Sequence, residues 1–475
     1  MSSRTVTAED LRKRAVVIVP DRLFHVALRQ CPVETSTSHF FSIDNTLVYW
    51  NFFLDFGPLS LSQLYQFCKI LNMKLMHPKL RSKKIYFCSS TNHHKRANAA
   101  ALIACYAVIY LGSTPEEALL PFAAVSPEFT PFHDASRYEC TFDLTVMDCA
   151  RAVYKAKHCK LFDFDSFNLR ECMYYEQCEH GDLNWILPNM CAFAGPQETR
   201  EAGLLDGYSC LVPEDFTEYF KQRDVKVLMR LNKKYYNAER FEKHGIHVVE
   251  LYYRDGGVPT MEILQRFLSA CEAATTSIGV HCKAGLGRTG TCMGAYMQKH
   301  YKFTAAEAIA WIRICRPGSI IGPQQHFLEL IEEQMWREGD EFRARLRAGK
   351  ITISASLSAA LSGLHMGTPA EVELSALDGE ATVLPTTVAT GSGSGSGSSS
   401  SSSSSSSGRA TSSTPSSVSP KPICVVTDAH DRSNQAAALL SRRSPTSKTS
   451  SPLAADGAAV DAARVGGFTV PLNVR

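Results

Sequence analysis

No two cysteines in this chain are spaced Cys-x-x-Cys, although 16 of its 475 residues are cysteine, and no Cys/His quartet has zinc spacing. The thiols therefore point to no metal framework. Long apolar runs are also missing. The most apolar stretch, Ala99 to Leu111, is too short to span a bilayer and reads as a buried helix, so no membrane span is expected. The opening Met1-Ser2-Ser3-Arg4-Thr5 lacks the apolar core of a signal peptide. Scattered thiols without a secretion signal predict reduced cysteines in a cytoplasmic and nuclear protein. An excess of one charge is lacking too. Lys and Arg number 50 against 47 Asp and Glu, a net charge of +3, so no global basic field suggests nucleic acid as a partner. Charge selectivity must come from local patches. With 44% apolar and 20% charged residues, the composition is that of a soluble globular protein long enough for two or three domains.

From about Gly367 the sequence turns to Ser, Thr, Ala, Gly and Pro, with an unbroken serine run from Ser398 to Ser407. Such a segment buries too little apolar surface to offset its ordering entropy, and residues 367–475 are expected to be a disordered tail. Folding is expected over residues 11–346.

That folded part has an internal echo. Tyr106, Thr114 and Glu117-Ala118 match Tyr296, Thr304 and Glu307-Ala308 at identical spacing. Each half also has a strand-like run ending in cysteine, then a basic residue and a helix: Lys84-Ile85-Tyr86-Phe87-Cys88 before Arg96, and Ser277-Ile278-Gly279-Val280-His281-Cys282 before Arg288. Two helices sharing a common pattern would leave part of this trace, but two copies of one α/β domain account for all of it. In the second half Lys226–Leu231 and His247–Leu251 read as strands. Thr260 can cap a helix with Met261, Leu264, Leu268 and Cys271 on one face. The order argues for a sheet flanked by helices.

A bare Cys-x5-Arg pair means little, since about one is expected by chance in a chain with this many cysteines. Only Cys282–Arg288 has the spacing, and its surroundings raise the signal. His281-Cys282-Lys283-Ala284-Gly285-Leu286-Gly287-Arg288-Thr289-Gly290 runs from strand to helix. Gly285 and Gly287 allow successive N–H groups to turn inward at a helix N-terminus, a natural seat for a phosphate dianion. The same field favours a thiolate nucleophile at Cys282. Arg288 supplies a planar fork for two phosphoryl oxygens, and the Thr289 hydroxyl can ease departure of Cys282 in a second step. A structural Gly-rich turn around a buried cysteine would need neither Arg288 nor two glycines. The leaving oxygen needs a proton donor. Asp255, followed by Gly256 and Gly257 in a loop between a strand and the Thr260 helix, can be that acid and then the base for water, although Asp-Gly is also a common plain turn.

These residues resemble the protein tyrosine phosphatase superfamily. The stretches Ser42–Tyr49, Lys95–Ala100, Gly181–Ile186, Arg230–Lys234 and Arg313–Leu328 narrow the resemblance to the cell-division-cycle-fourteen, or mitotic-exit, dual-specificity phosphatase family, over about residues 14 to 340. The resemblance implies an α/β fold of two tandem dual-specificity-phosphatase-like domains: a degenerate one at 11–165, a helical linker at 166–180 and a catalytic one at 181–346. It implies Asp255 as acid, Cys282 as nucleophile, Arg288 as clamp, and Gln324 or Gln325 as the residue that places water. In the first half seven residues and no glycine separate Cys88 from Arg96, so Cys88 is expected to be structural. The resemblance further implies a protein-tyrosine/serine phosphatase preferring phosphoserine-proline sites made by cyclin-dependent kinases, with a basic residue beyond. It implies cell-cycle roles in mitotic exit, cytokinesis or cilia, and a place at the centrosome, spindle or basal body. An acidic substrate groove then falls on Glu176, Glu179 and Asp182, with Met173 where the family has an acid and Glu171 nearby. A solvated helix face is the plainer reading of these charges. Neither metal nor cofactor is required, since cysteine and arginine do the chemistry.

Leu357, Leu361, Leu364 and Met366 have the spacing of a nuclear-export segment, equally that of a short amphipathic helix. Thr414, Ser419, Ser444 and Ser451 each precede proline and could be kinase targets. Two other functions stay open at this point. A phosphoinositide phosphatase would want a second lysine where Leu286 stands. A non-catalytic phosphoprotein scaffold would be expected to lack one of Cys282, Arg288, Thr289 and Asp255.

Overall fold

The structure, a computed structural model, describes residues 8–201, 210–349 and 351. The expected tail, the export-like leucines and the Ser/Thr-Pro sites lie outside the described residues. Two sheets organise the rest. The first contains β1 (Val16–Val19), β2 (Leu23–Ala27), β3 (Ser38–Ser42) and β4 (Lys84–Ser89), in the order β1-β2-β4-β3. The second contains β5 (Leu183–Leu187), β6 (Met190–Ala194), β7 (Val225–Arg230), β8 (His247–Glu250) and β9 (Ser277–Cys282), in the order β5-β6-β9-β7-β8.

Without β8 the two sheets have the same topology. Each opens with an antiparallel pair, β1–β2 or β5–β6, and each inserts its last strand, β4 or β9, parallel to both neighbours. Cys88 pairs with Val26 near the end of β4, and Cys282 pairs with Ala194 at the end of β9. The echo in the sequence is thus a duplication of the fold. Its Thr-x-x-Glu element has a local physical cause. Thr114 and Thr304 each cap a helix (Pro115–Leu119 and Ala305–Cys315) by accepting from the third helical N–H, while Glu117 and Glu307 reach back to the cap N–H. Thr260 likewise caps Met261–Ala273, whose Leu264, Phe267, Leu268 and Cys271 are buried. The Ala99–Leu111 stretch lies in a buried helix, His93–Tyr106, that ends in a wider turn over Ala107–Leu111. Among the described residues no helix is long and apolar enough to cross a membrane.

The two halves share one core. The Val146–His158 helix packs on the Ala305–Cys315 helix, and the Phe162 and Trp311 rings stack at 5.1 Å. Trp311 Nε1 donates to the Ile186 carbonyl at 2.9 Å, and Lys155 Nζ pairs with Glu307 at 2.7 Å across the same seam. Buried apolar side chains run without a break from one sheet to the other. A small separate cluster matters for the site. Phe52 and Ala135, from the first half, pack against Ala284 and Leu286 of the second. The first half therefore forms part of the wall behind the Cys282 loop.

Candidate active site

β9 ends at Cys282, and the helix Gly287–Tyr301 begins five residues later. The loop between them is as tight as its glycines suggest. Gly285 has φ +66°, and a side chain there would be driven into the Phe193 carbonyl. At Gly287 a Cβ would lie 2.7 Å from Gln324 Oε1. Lys283 contributes its carbonyl, which accepts the Gly195 N–H at 3.0 Å. Gly195, which has no local signal in the sequence, follows β6 hard against the loop, where a Cβ would meet the Cys282 carbonyl and His281 Nδ1.

Arg288 is buried on the first turn of the helix. Its Nη1 donates to the carbonyls of Leu231 (3.3 Å) and Tyr253 (3.1 Å), and its Nη2 pairs with Asp255 Oδ1 at 3.0 Å. Its Nε is buried without a hydrogen-bonded oxygen. Burial alone would lower the Arg288 pKa, but the neighbouring Cys282 and Asp255 outweigh it and raise it, so the cation persists. Tyr253, two residues before Asp255, donates its hydroxyl to the Arg288 carbonyl at 2.9 Å. That bond ties the start of the Asp255 loop to the helix. The Asp255 carboxylate remains about one-third exposed, as a residue on an open loop should.

His281 is fully buried, and desolvation lowers its pKa to about 3, so it is neutral. Its Nδ1 faces the Cys282 carbonyl at 3.1 Å and so must donate, which leaves Nε2 to accept from the Tyr236 hydroxyl at 2.9 Å. The Thr289 hydroxyl is buried with no hydrogen-bond partner. Gln324 bridges the Asp255 and Cys282 loops. It donates to the Gly257 carbonyl at 3.0 Å, accepts from Ile321 N at 3.0 Å and lies against Gly287. Gln325 turns the other way, accepting from Arg313 at 2.7 Å. Of the two glutamines, only Gln324 is placed beside the loop.

Of the acids expected in a substrate groove, Asp182 turns inward while Glu176 and Glu179 keep contact with solvent. Asp182 is only 2% exposed and pairs with Arg316 at 3.0 Å, so it does not face a groove. The sequence reading took it for a surface acid because an arginine over a hundred residues away leaves no local trace. Glu171 is held by Arg223 and by the Tyr219 hydroxyl. Glu176 is half-buried and accepts from Ser62, Glu179 is exposed, and Met173 is 43% exposed. Arg316 lies in the Arg313–Leu328 stretch, where nothing local in the sequence signals its contacts. It is fully buried and holds the carbonyls of Gly285 (2.7 Å) and Ala284 (3.0 Å) and the Asn184 side chain (2.7 Å).

The first half shows the same architecture without this equipment. Cys88 is buried, and a hydrogen bond with the Cys31 thiol together with burial pushes its pKa far up, away from a thiolate. The Asp44 carboxylate accepts the Ser90 N–H at 2.6 Å, so an acid sits on the loop that would otherwise receive an anion. Arg96 donates to the Pro127 carbonyl and stacks near Phe129, away from any phosphate seat.

Residues 17–156 match the family described as dual specificity protein phosphatase, N-terminal half, and residues 213–335 match dual specificity phosphatase, catalytic domain. Human dual specificity protein phosphatase CDC14A is 47% identical over 352 residues, 74% of this chain and 59% of that protein. Human CDC14C is 41% identical over 430 residues, 89% of this chain and 95% of that protein. The tyrosine-protein phosphatase CDC14 of Saccharomyces cerevisiae is 38% identical over 315 residues, 65% of this chain and 57% of that protein. The chain thus spans little more than half the length of several relatives and almost all of another.

Proposed function

The chain belongs to the CDC14 family of dual specificity phosphatases, and from that premise we propose that it hydrolyses phosphoserine, and also phosphotyrosine and phosphothreonine, in proteins through a phosphocysteine on Cys282. The observation that carries the reading is the convergence of Cys282, Arg288 and Asp255, with Arg288 Nη2 3.0 Å from Asp255 Oδ1 at the mouth of a loop that opens a helix. The Cys282 thiolate attacks phosphorus, the ester P–O bond breaks, and Asp255 passes its proton to the departing serine oxygen. Loop N–H groups of residues 283–288, Lys283, Ala284, Gly285, Leu286 and Gly287 among them, and the Arg288 fork stabilise the charge on the transferring group. Water then attacks phosphorus, giving a proton back to Asp255 while the P–S bond breaks. Gln324 has the position to hold that water, and the unpartnered Thr289 hydroxyl is a donor for the returning thiolate.

For substrate we infer phosphoserine followed by proline, the product of cyclin-dependent kinases, with a modest preference for a basic residue beyond it. Glu176 and Glu179 support the basic preference. Exposed Met173 and buried Asp182 limit it. The corresponding role is cell-cycle regulation, in mitotic exit, cytokinesis or at cilia, acting in cytoplasm and nucleus. A phosphopeptide panel tests the reading. Replacing the proline is expected to lower kcat/KM by about tenfold or more, equivalent to about 1.4 kcal/mol of transition-state binding. The Cys282→Ser variant should bind the same peptides without turning them over. Turnover by that variant, or indifference to the proline, would overturn the corresponding half of the proposal.

A further inference from the structure

We propose that Arg316 is a positioning residue that aims the N–H groups of the Cys282 loop at the phosphate, with Asp182 and Asn184 as its holders. The proposal rests on the phosphate-loop reading above and adds the part that shapes the loop. In a trans peptide the C=O of one residue and the N–H of the next point to opposite sides of one rigid plane. Arg316 Nη2 takes the Ala284 carbonyl at 3.0 Å and Nε takes the Gly285 carbonyl at 2.7 Å. Both oxygens are thereby drawn to the outer face of the loop, and the N–H groups of Gly285 and Leu286 must point inward. A lysine, a point charge rather than a planar fork, could not hold both carbonyls and the Asp182–Asn184 pair at once.

Two further features make the arrangement a built one. Arg316 Nη1 is taken by Asp182 Oδ1 at 3.0 Å and Asn184 Oδ1 at 2.7 Å, so the guanidinium is anchored from the side away from the loop. Asp182 occupies a left-handed backbone conformation, φ +44°, in the turn that leaves the inter-domain linker, a conformation aspartate tolerates better than most residues. The first half supplies the contrast. Its helix Pro115–Leu119 matches the helix before Arg316, yet the following residues 120–131 contain neither arginine nor lysine. The half without a phosphate loop is also without the residue that would shape one.

The test compares Arg316→Lys with unaltered protein, using tungstate affinity by calorimetry and turnover of an aryl phosphate. Misdirecting two donors is expected to weaken tungstate about tenfold or more and to lower kcat on the order of a hundredfold. A role confined to stability would lower Tm and the binding-competent fraction, leaving the affinity of the folded fraction unchanged. That result overturns the proposal. If Arg316→Lys does not fold, Asp182→Asn decides in its place: a loss of affinity of about threefold or more supports the inference, and wild-type affinity overturns it. Unaltered protein that binds tungstate but hydrolyses nothing would sink the proposed function while leaving the affinity comparison intact.

Discussion

Arg288 and Asp255 face each other at 3.0 Å, so the proposed acid is paired with the proposed phosphate clamp. In the proposed mechanism an incoming phosphoryl dianion takes the same guanidinium and releases Asp255, whose carboxylic-acid form gives its proton to the leaving oxygen. Asp255→Ala should therefore slow phosphoserine peptides by about a hundredfold or more. Aryl phosphates, whose leaving groups need little protonation, should slow far less. Equal slowing of both, measured as kcat at saturating substrate, would remove Asp255 from the role of acid.

Gln324 and Gln325 are adjacent in sequence but do different things. Gln324 spans Gly257 of the acid loop and Gly287 of the phosphate loop, whereas Gln325 satisfies buried Arg313. In Gln324→Ala the second step is expected to become limiting, visible as a burst of phenol release followed by slow turnover. In Gln325→Ala no burst is expected. Its effect should be on stability, about 1–3 kcal/mol from an orphaned buried donor. The reverse pattern would exchange the two roles.

Much of this site was legible in the sequence because its chemistry is local. Cys282, the two glycines, Arg288 and Thr289 lie within one strand–loop–helix unit, and short-range spacing reports such units well. Thr114 and Thr304 were legible for the same reason, since a capping box is a four-residue device. What stayed hidden depends on contacts between distant segments. Arg316 touches Ala284 and Gly285, Gly195 abuts Cys282, and Phe52 packs behind Ala284. Asp182 was misplaced on a surface because charge alone cannot show whether an acid faces water or a buried arginine.

Close approach around the loop gives a ranked set of glycine substitutions. A Cβ at Gly285 or Gly195 meets backbone, the Phe193 and Cys282 carbonyls, which cannot step aside. Gly285 also carries φ +66°. At Gly287 the nearest atom is the end of the Gln324 side chain, which can move. Gly285→Ala and Gly195→Ala should each lose about 1–3 kcal/mol of stability and nearly all turnover. Gly287→Ala should fold normally and lose activity through Gln324, matching the burst kinetics of Gln324→Ala. Normal turnover in Gly285→Ala would show that the loop is not held as tightly as its contacts require.

Buried histidines set the acid limit of the fold. Desolvation lowers His281 to about 3 and His25 to about 4, and it lowers His300 as well. Each is below the unfolded value of about 6.5, so the unfolded chain takes up protons first as pH falls. Their contribution is complete above that value and drains away as pH drops towards the folded values, by about 1.4 kcal/mol per pH unit for each such histidine. Burial also raises Asp44, Asp55 and Glu332, and these carboxyl groups act in the opposite sense, holding protons in the folded state. Denaturant unfolding at stepped pH should show this histidine contribution falling as pH drops below about 6.5, and His25→Gln should flatten the slope by one proton. His281 adds a consequence for the site. Protonated Nε2 could no longer accept the Tyr236 hydroxyl, the bond that fixes the ring while Nδ1 holds the Cys282 carbonyl. Tyr236→Phe removes that bond at neutral pH, so it should lower kcat at pH 7 with little loss of stability if the ring orients the loop. An unchanged kcat would make His281 a packing residue only.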